Sequence, residues 1–374
     1  MIKIVVPKET GPGEKRVALT PDVVGKFCAS GHTVVVEKGA GEHSFFDDAD
    51  FTAKGALIAP DAKSLYKGAQ LVAKVGSLTD KEWSLVEKNA AVVGLLGDIS
   101  QARLGTLAEK QIKPFSLEKL PRISRAQTMD VLSSQSTIAG YAAAIMAASK
   151  APTLFPLLMT SAGTLVPARV FVLGAGVAGL QVIATAKRLG ATVMAYDVRQ
   201  EVKEQVQSLG ADFLDIDLAS QEGEGSGGYA KELSDKTKEL QRAAIQKALE
   251  RADVVITTAL VPGKKAPLLL TQEMMKSLKL GALVIDMAAE MGGNCEVTVA
   301  DQTILHNGVL VIGPSNMPSL YPRDASLFYA KNIFHFVQLL LDDKGALKKA
   351  LEDEILIATF LGATVHKQRS ARSS

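Results

Sequence analysis

The chain has 374 residues, 47% of them apolar and 22% charged. At roughly 150 residues per domain this predicts two domains, and the ordinary composition excludes wholesale disorder and collagen-like repeats. The net charge of +2 supplies no field that would call for nucleic acid. Cys28 and Cys295 cannot build a disulfide framework, which fits a reducing, cytoplasmic compartment.

The first segment, Met1 to Pro7, lacks the long apolar core and cleavage site of a signal peptide. Ile2 to Val6 reads instead as a buried parallel strand. Thr20-Pro21-Asp22 predicts a helix start: a capping hydroxyl, a proline in the first turn and an acid behind it. Gly31 closes that helix, and Thr33 to Val36 forms the next strand. Ala69 to Val75 and Ala91 to Leu96 are two more strands. Strands separated by helices imply parallel pairing and an α/β class.

Pro121 to Asp130 breaks this rhythm, being polar, basic and not amphipathic. The alanine-rich stretch Ala139 to Ala148 follows as a linker helix. Ile138 to Ala186 contains only Lys150 and Arg169 as charges, but Pro152, Pro156 and Pro167 interrupt it too often for a membrane span. A second alternation begins with strand Arg169–Leu173, helix Val177–Leu189 and strand Thr192–Tyr196. Strands at Val254–Thr257, Leu283–Asp286 and Val309–Ile312 complete it. Gln221 to Tyr229 is rich in Gly and Ser and reads either as a solvated linker or as a lid. From Asp324 the pattern is helical, with Leu327, Ala330, Phe334, Val337 and Leu341 on one stripe. The polar tail after His366 is expected to be disordered.

Gly174-Ala175-Gly176-Val177-Ala178-Gly179 is the one run that carries specific chemistry. It follows an apolar strand and opens an amphipathic helix, as a dinucleotide fingerprint requires. Gly174 serves the tight turn, Gly176 lets backbone approach a pyrophosphate, and Gly179 permits close helix packing. Asp197 ends the next strand, 18 residues beyond Gly179, where an acid bonds the adenosine ribose. Its charge repels a 2′-phosphate and favours NAD(H), with Arg199 two residues on to soften that preference. The five histidines are scattered without metal-ligand spacing, so no metal is expected. Ser136, Ser161 and Ser315 lack a nucleophile elbow. Gly292-Gly293-Asn294 and Ser315 to Pro318 follow strands of the nucleotide domain, so each is either part of the site or a plain turn.

Several motifs together resemble the NAD(H)-binding component, domain I, of the proton-translocating nicotinamide nucleotide transhydrogenases. They are Val6-Pro7-Lys8-Glu9, Arg16 to Pro21, the Arg122-to-Asp130 segment, the glycine run with Asp197, Thr257 to Lys264, and Gly292 to Cys295. The first two are shared with alanine dehydrogenase, whose substrate-carboxylate positions Arg16 and Lys74 match. That enzyme has a catalytic histidine after its fourth strand, where this chain reads Val92 to Asp98, and a catalytic aspartate where this chain has Glu290. Direct hydride exchange needs no such acid or base. It needs two nicotinamide C4 atoms held about 3–3.5 Å apart in a dry site.

The resemblance implies two Rossmann-like doubly wound domains with a cleft between them. The first would comprise 1–130 plus 320–374, and the NAD(H)-binding second 131–319, with a linker helix at 135–149 and a mobile loop at 220–230. Arg122, Gln127, Asp130 and Ser133 would line the nicotinamide end. Val177 and Asp197-Val198-Arg199 would hold adenosine and pyrophosphate, Leu260 would lie beneath the nucleotide, and Gly228 and Tyr229 on the lid. The implied activity is hydride transfer from NADH to NADP⁺ held on a partner, coupled to proton translocation by separate membrane-spanning subunits. A homodimer, peripheral to the cytoplasmic membrane through those partners, is implied too. An amino-acid dehydrogenase and a non-catalytic NAD-sensing module are the competing readings.

Overall fold

The structure, a computed structural model, describes residues 1–216, 235–260 and 264–362. Two compact units divide the chain: Met1–Gln135 with Ser319–Ser374, and Ser136–Pro318.

The first unit carries a six-stranded, wholly parallel sheet. Its strands are β1 (Lys3–Val6), β2 (Thr33–Glu37), β3 (Leu57–Ala59), β4 (Leu71–Ala73), β5 (Ala91–Gly94) and β6 (Lys113–Ser116). Their order is β3-β2-β1-β4-β5-β6, the doubly wound arrangement that reverses between β1 and β4. Ile4, Val6, Val34, Val36, Leu71 and Ala73 are buried on one face, and Val5, Val35 and Val72 on the other, so these strands are apolar throughout. The helix Pro322–Leu340 completes the first of those faces.

Of the stripe expected on that helix, Ala330, Val337 and Leu341 are buried, and the buried face is wider than the stripe. Ala325, Tyr329, Ile333, Phe336 and Leu340 are also buried, whereas Leu327 and Phe334 are only partly covered. Leu and Phe score as core residues in a pattern, but a surface helix of this length leaves some large side chains at the rim. Thr20 stands at the N-cap of the helix Pro21–Ala29, yet its hydroxyl makes no capping bond, and the proline alone sets the entry. The irregular stretch before Asp130 is a 3₁₀ helix, Ser124–Met129, with Ala126 and Met129 buried three residues apart. That spacing suits the three-residue turn of a 3₁₀ helix and escapes a search at 3.6. The helix expected at Ala139 to Ala148 runs from Val131 to Lys150, and the boundary between the units falls inside it.

The second unit has a two-stranded hairpin, β7 (Leu158–Thr160) and β8 (Gly163–Leu165), and a seven-stranded sheet. The sheet strands are β9 (Arg169–Leu173), β10 (Thr192–Tyr196), β11 (Asp212–Phe213), β12 (Val254–Thr257), β13 (Leu283–Asp286), β14 (Thr303–His306) and β15 (Val309–Ile312). Their order is β11-β10-β9-β12-β13-β15-β14. All pairs are parallel except β14 with β15. Without that edge strand the order repeats the first unit, reversing here between β9 and β12. Among the described residues no helix is long and apolar enough to cross a membrane.

Candidate nucleotide site

In a doubly wound sheet the loops beyond the carboxyl ends of the strands form a crevice where the order reverses. In the second unit those loops begin at Gly174, after β9, and Thr258, after β12. They are tied directly: Thr258 N–H donates to Leu173 O at 2.9 Å and Thr258 Oγ1 to Gly174 O at 2.9 Å. Gly174 has φ +104, a backbone that disfavours side chains, and a Cβ there would lie 2.6 Å from Thr258 Oγ1. A Cβ at Gly179 would lie 2.0 Å from Gly174 O, so any side chain would force the helix Val177–Arg188 away from the loop. Gly176 differs, because the nearest atom to a Cβ built there is an Arg199 nitrogen at 3.9 Å. The first and third glycines are therefore needed by the protein's own packing, and the second faces space. That is the cradle a diphosphate requires: bare backbone at a helix N-terminus.

The helix has a second close approach, since a Cβ at Gly140 would lie 2.3 Å from Ala178 O. The small residues of Val131–Lys150 thus let two helices touch backbone to backbone beneath the glycine run.

Asp197 follows β10 and is 7% exposed. Its Oδ2 accepts from Ala175 N–H at 2.7 Å and Arg199 Nη2 at 3.0 Å, and its Oδ1 from Arg199 N–H at 2.9 Å and Arg199 Nε at 3.0 Å. Burial opposes ionisation of this carboxyl, but the Arg199 donors and the Ala175 N–H outweigh it and hold the group below the usual aspartate range. It is an anion at neutral pH. Val177, Val198 and Leu260 are apolar and 45%, 45% and 50% exposed. The residues present fit a dinucleotide: open backbone for the phosphates, an ionised acid for ribose, and bare apolar side chains for adenine.

Two buried polar residues brace these loops. Asn294, fully buried, accepts from Ala259 N–H at 3.1 Å and donates to Ala259 O and Pro267 O, both at 2.8 Å. Asp286, equally buried, accepts from Thr257 Oγ1, Ala288 N–H, Cys295 N–H and Thr298 Oγ1 at 2.7–3.0 Å. Gly292-Gly293-Asn294 is therefore a brace of the site. Glu290 accepts from Asn316 N–H at 3.0 Å.

The first unit holds the other expected residues. Arg122 and Gln127 are exposed. Asp130 accepts from Ser133 N–H at 2.9 Å and Ser133 Oγ at 2.5 Å, so this pair caps the first turn of Val131–Lys150. Where this sheet reverses, Lys74 is 1% exposed and lies 3.3 Å from Glu9 Oε2 and 3.0 Å from Glu82 Oε1. Burial pushes the Glu9 carboxyl up, against the pull of Lys74 and the Val75 N–H. Arg16 pairs with Glu14 at 2.6 Å and donates to Gln135 at 2.9 Å. The Glu9, Glu14 and Glu82 roles were not read from the sequence: Glu9 and Glu82 meet Lys74 only in the fold, and Glu14 turns back on Arg16 two residues on. Beyond β5, Gly97 N–H donates to Glu118 at 2.8 Å, and no imidazole occurs in Leu95 to Asp98. Gly228 and Tyr229, with the loop at 220–230 and the tail after His366, lie outside the described residues.

Fold and loop together define a doubly wound dinucleotide-binding protein, and the chain belongs to the alanine dehydrogenase/PNT family. The family's N-terminal domain matches residues 5–139 and its C-terminal domain residues 143–369. Within it the chain belongs with the NAD(P) transhydrogenase alpha subunits. It is 45% identical to the first part of NAD(P) transhydrogenase subunit alpha of Rhodospirillum rubrum, over 98% of each chain. It is 40% identical to the alpha subunit of Cereibacter sphaeroides, over 97% of this chain and 70% of that one. The crystal structure of transhydrogenase from Sinorhizobium meliloti matches with a TM-score of 0.86 at 39% identity, over 96% of this chain and 98% of that one. Alanine dehydrogenase of Bacillus subtilis is more distant, 29% identical over 97% of this chain and 92% of its own. Membership implies nicotinamide-nucleotide binding.

Proposed function

We propose that this chain is the NAD(H)-binding component of a transhydrogenase, and that it presents NADH for hydride transfer to NADP⁺ held by a partner subunit. The observation that carries the reading is the open backbone at Gly176 beside the ionised Asp197, in a chain 45% identical to a transhydrogenase alpha subunit. The dihydronicotinamide ring of bound NADH supplies the hydride. The protein's tasks are then to bind, orient and exclude water. Gly174, Gly176 and Gly179 set the phosphate cradle, Asp197 takes the ribose hydroxyls, and Val177, Val198 and Leu260 flank the adenine. Arg122 and Gln127 position the nicotinamide end. Asp130 and Ser133 line the same end and also fix the helix turn behind it.

No proton leaves an amine in such a transfer, so the missing imidazole after β5 is no loss. Oxidising an amino acid would need one. The proton-conducting step and the NADP(H) site belong to partner subunits, with which the chain is peripheral to the cytoplasmic membrane, itself paired as a homodimer. Stopped-flow mixing of this chain, NADH, NADP⁺ and a purified NADP(H)-binding subunit tests the reading. It should give rapid NADPH formation, with no turnover of alanine and NAD⁺ by this chain alone. Alanine oxidation without hydride transfer would reverse the assignment.

A further inference from the structure

Asp197 is fully committed. A carboxylate offers about four lone-pair directions, and all four are used: two by the Ala175 and Arg199 N–H groups, two by the Arg199 guanidinium. The backbone donors are fixed by the chain. The guanidinium sits on a flexible stem and its side chain is 44% exposed. It gives one bond to each carboxylate oxygen, so its departure frees one lone pair on Oδ1 and one on Oδ2. Two freed acceptors on one carboxylate match two hydroxyl donors on one vicinal diol. The same guanidinium has its Nη2 only 3.9 Å from the Cβ position of Gly176, where the backbone is bare for a phosphate. A guanidinium that gives up a carboxylate there has an equivalent bidentate acceptor to move to.

We propose that Arg199 and the dinucleotide exchange partners at Asp197: the ribose diol takes the carboxylate, and the displaced guanidinium takes the diphosphate. This rests on the reading of the second unit as a nucleotide site and adds to it a selection step. A nucleoside without phosphate must break the Arg199–Asp197 pair with nothing to replace it. A nucleoside diphosphate restores one charge-assisted pair for the one it breaks. Arg199 thus makes the site reject adenosine and accept diphosphate esters, beyond what the glycine run does alone.

Calorimetric titration of the full chain with adenosine and with ADP-ribose tests this, using the unaltered protein, Arg199→Ala and Arg199→Lys. Exchange predicts opposite shifts in Arg199→Ala: adenosine binds several-fold tighter and ADP-ribose on the order of tenfold weaker. Arg199→Lys, which keeps a charge but not the fork, should fall between. If Arg199 only braces Asp197, both ligands weaken together in Arg199→Ala, and the proposal is overturned. If neither ligand binds the unaltered chain, the nucleotide reading itself fails, a result distinct from equal weakening. Unfolding midpoints of the variants, which should stay well above the titration temperature, guard against a general loss of fold.

Discussion

Each unit reverses its strand order once, and the two points of reversal have opposite contents. After β9 the second unit runs into Gly174 and Gly176, and the backbone at Gly176 is bare. After β1 the first unit runs into Pro7, Lys8 and Glu9, and Glu9 meets the buried Lys74, which follows β4. Pro7 has no N–H to offer an anion, and a buried carboxylate repels one. Lys74 Nζ also donates to Lys8 O at 3.3 Å, and Tyr329 Oη to Lys74 O at 2.8 Å, which closes the first crevice with the chain's own groups. Parallel topology offers a crevice in both units. The three residues after the first strand decide whether it stays open for a phosphate or is filled from within.

That contrast can be broken at its open end first. Gly179→Ala should have the largest effect on nucleotide binding, because its Cβ would lie 2.0 Å from a backbone carbonyl that cannot rotate away. Overpacking of this kind costs about 1–3 kcal/mol, and the displaced helix start should lower NADH affinity by on the order of 10²-fold. Fluorescence titration with NADH measures this, and an unchanged affinity would show that the close approach is dispensable. At the filled end, Lys74→Met leaves Glu9 and Glu82 buried without their cation. Losing one partner of a buried ion pair costs about 3–5 kcal/mol, so the unfolding midpoint should fall by several degrees. The glycine run is untouched, and NADH affinity below that midpoint should be unchanged.

The smallest effect is the pH response, where the two carboxylates oppose each other. Asp197 has its pKa lowered by folding, so its contribution to stability is present above the usual aspartate value and is lost as the pH falls through the folded value. Glu9 has its pKa raised, so its contribution is present below the usual glutamate value and is lost as the pH rises through the folded value. Glu9→Gln mimics the protonated form at every pH. Its stability relative to the unaltered chain should therefore rise as the pH increases above the usual glutamate value, because only the unaltered chain must ionise a buried carboxyl. A difference that does not vary with pH would remove Glu9 from this account.

The open end was legible in the sequence and the filled end was not. A glycine fingerprint is local: strand, turn and helix start occupy one stretch, and Asp197 lies one strand further on. The strands Arg169–Leu173, Thr192–Tyr196, Val254–Thr257 and Leu283–Asp286 stood out as apolar runs, and the structure has them at those bounds. Glu9 and Lys74 follow two different strands and Glu82 lies on the helix Asp80–Leu85, and nothing in their local patterns marks them as partners. Other misses did leave a signal. Asn307 and Gly308, with φ +50 and +79, make the turn between β14 and β15, and an Asn-Gly pair between apolar runs marks a hairpin. β6 went unnoticed because Pro114 sits within it, yet its neighbours still pair with β5.

The interrupted first unit has a consequence for synthesis. The ribosome releases β1 to β6 early, but the helix Pro322–Leu340 that buries their face leaves only after all of residues 136–318. Until then Ile4, Val6, Val34 and Val36 lack the cover of Tyr329, Ile333 and Phe336. The second unit is contiguous and has its own core, so it can finish folding while the first still waits. The nascent chain thus reaches a nucleotide-ready state before its N-terminal sheet is sealed, and that unsealed sheet is the surface a chaperone would have to shield.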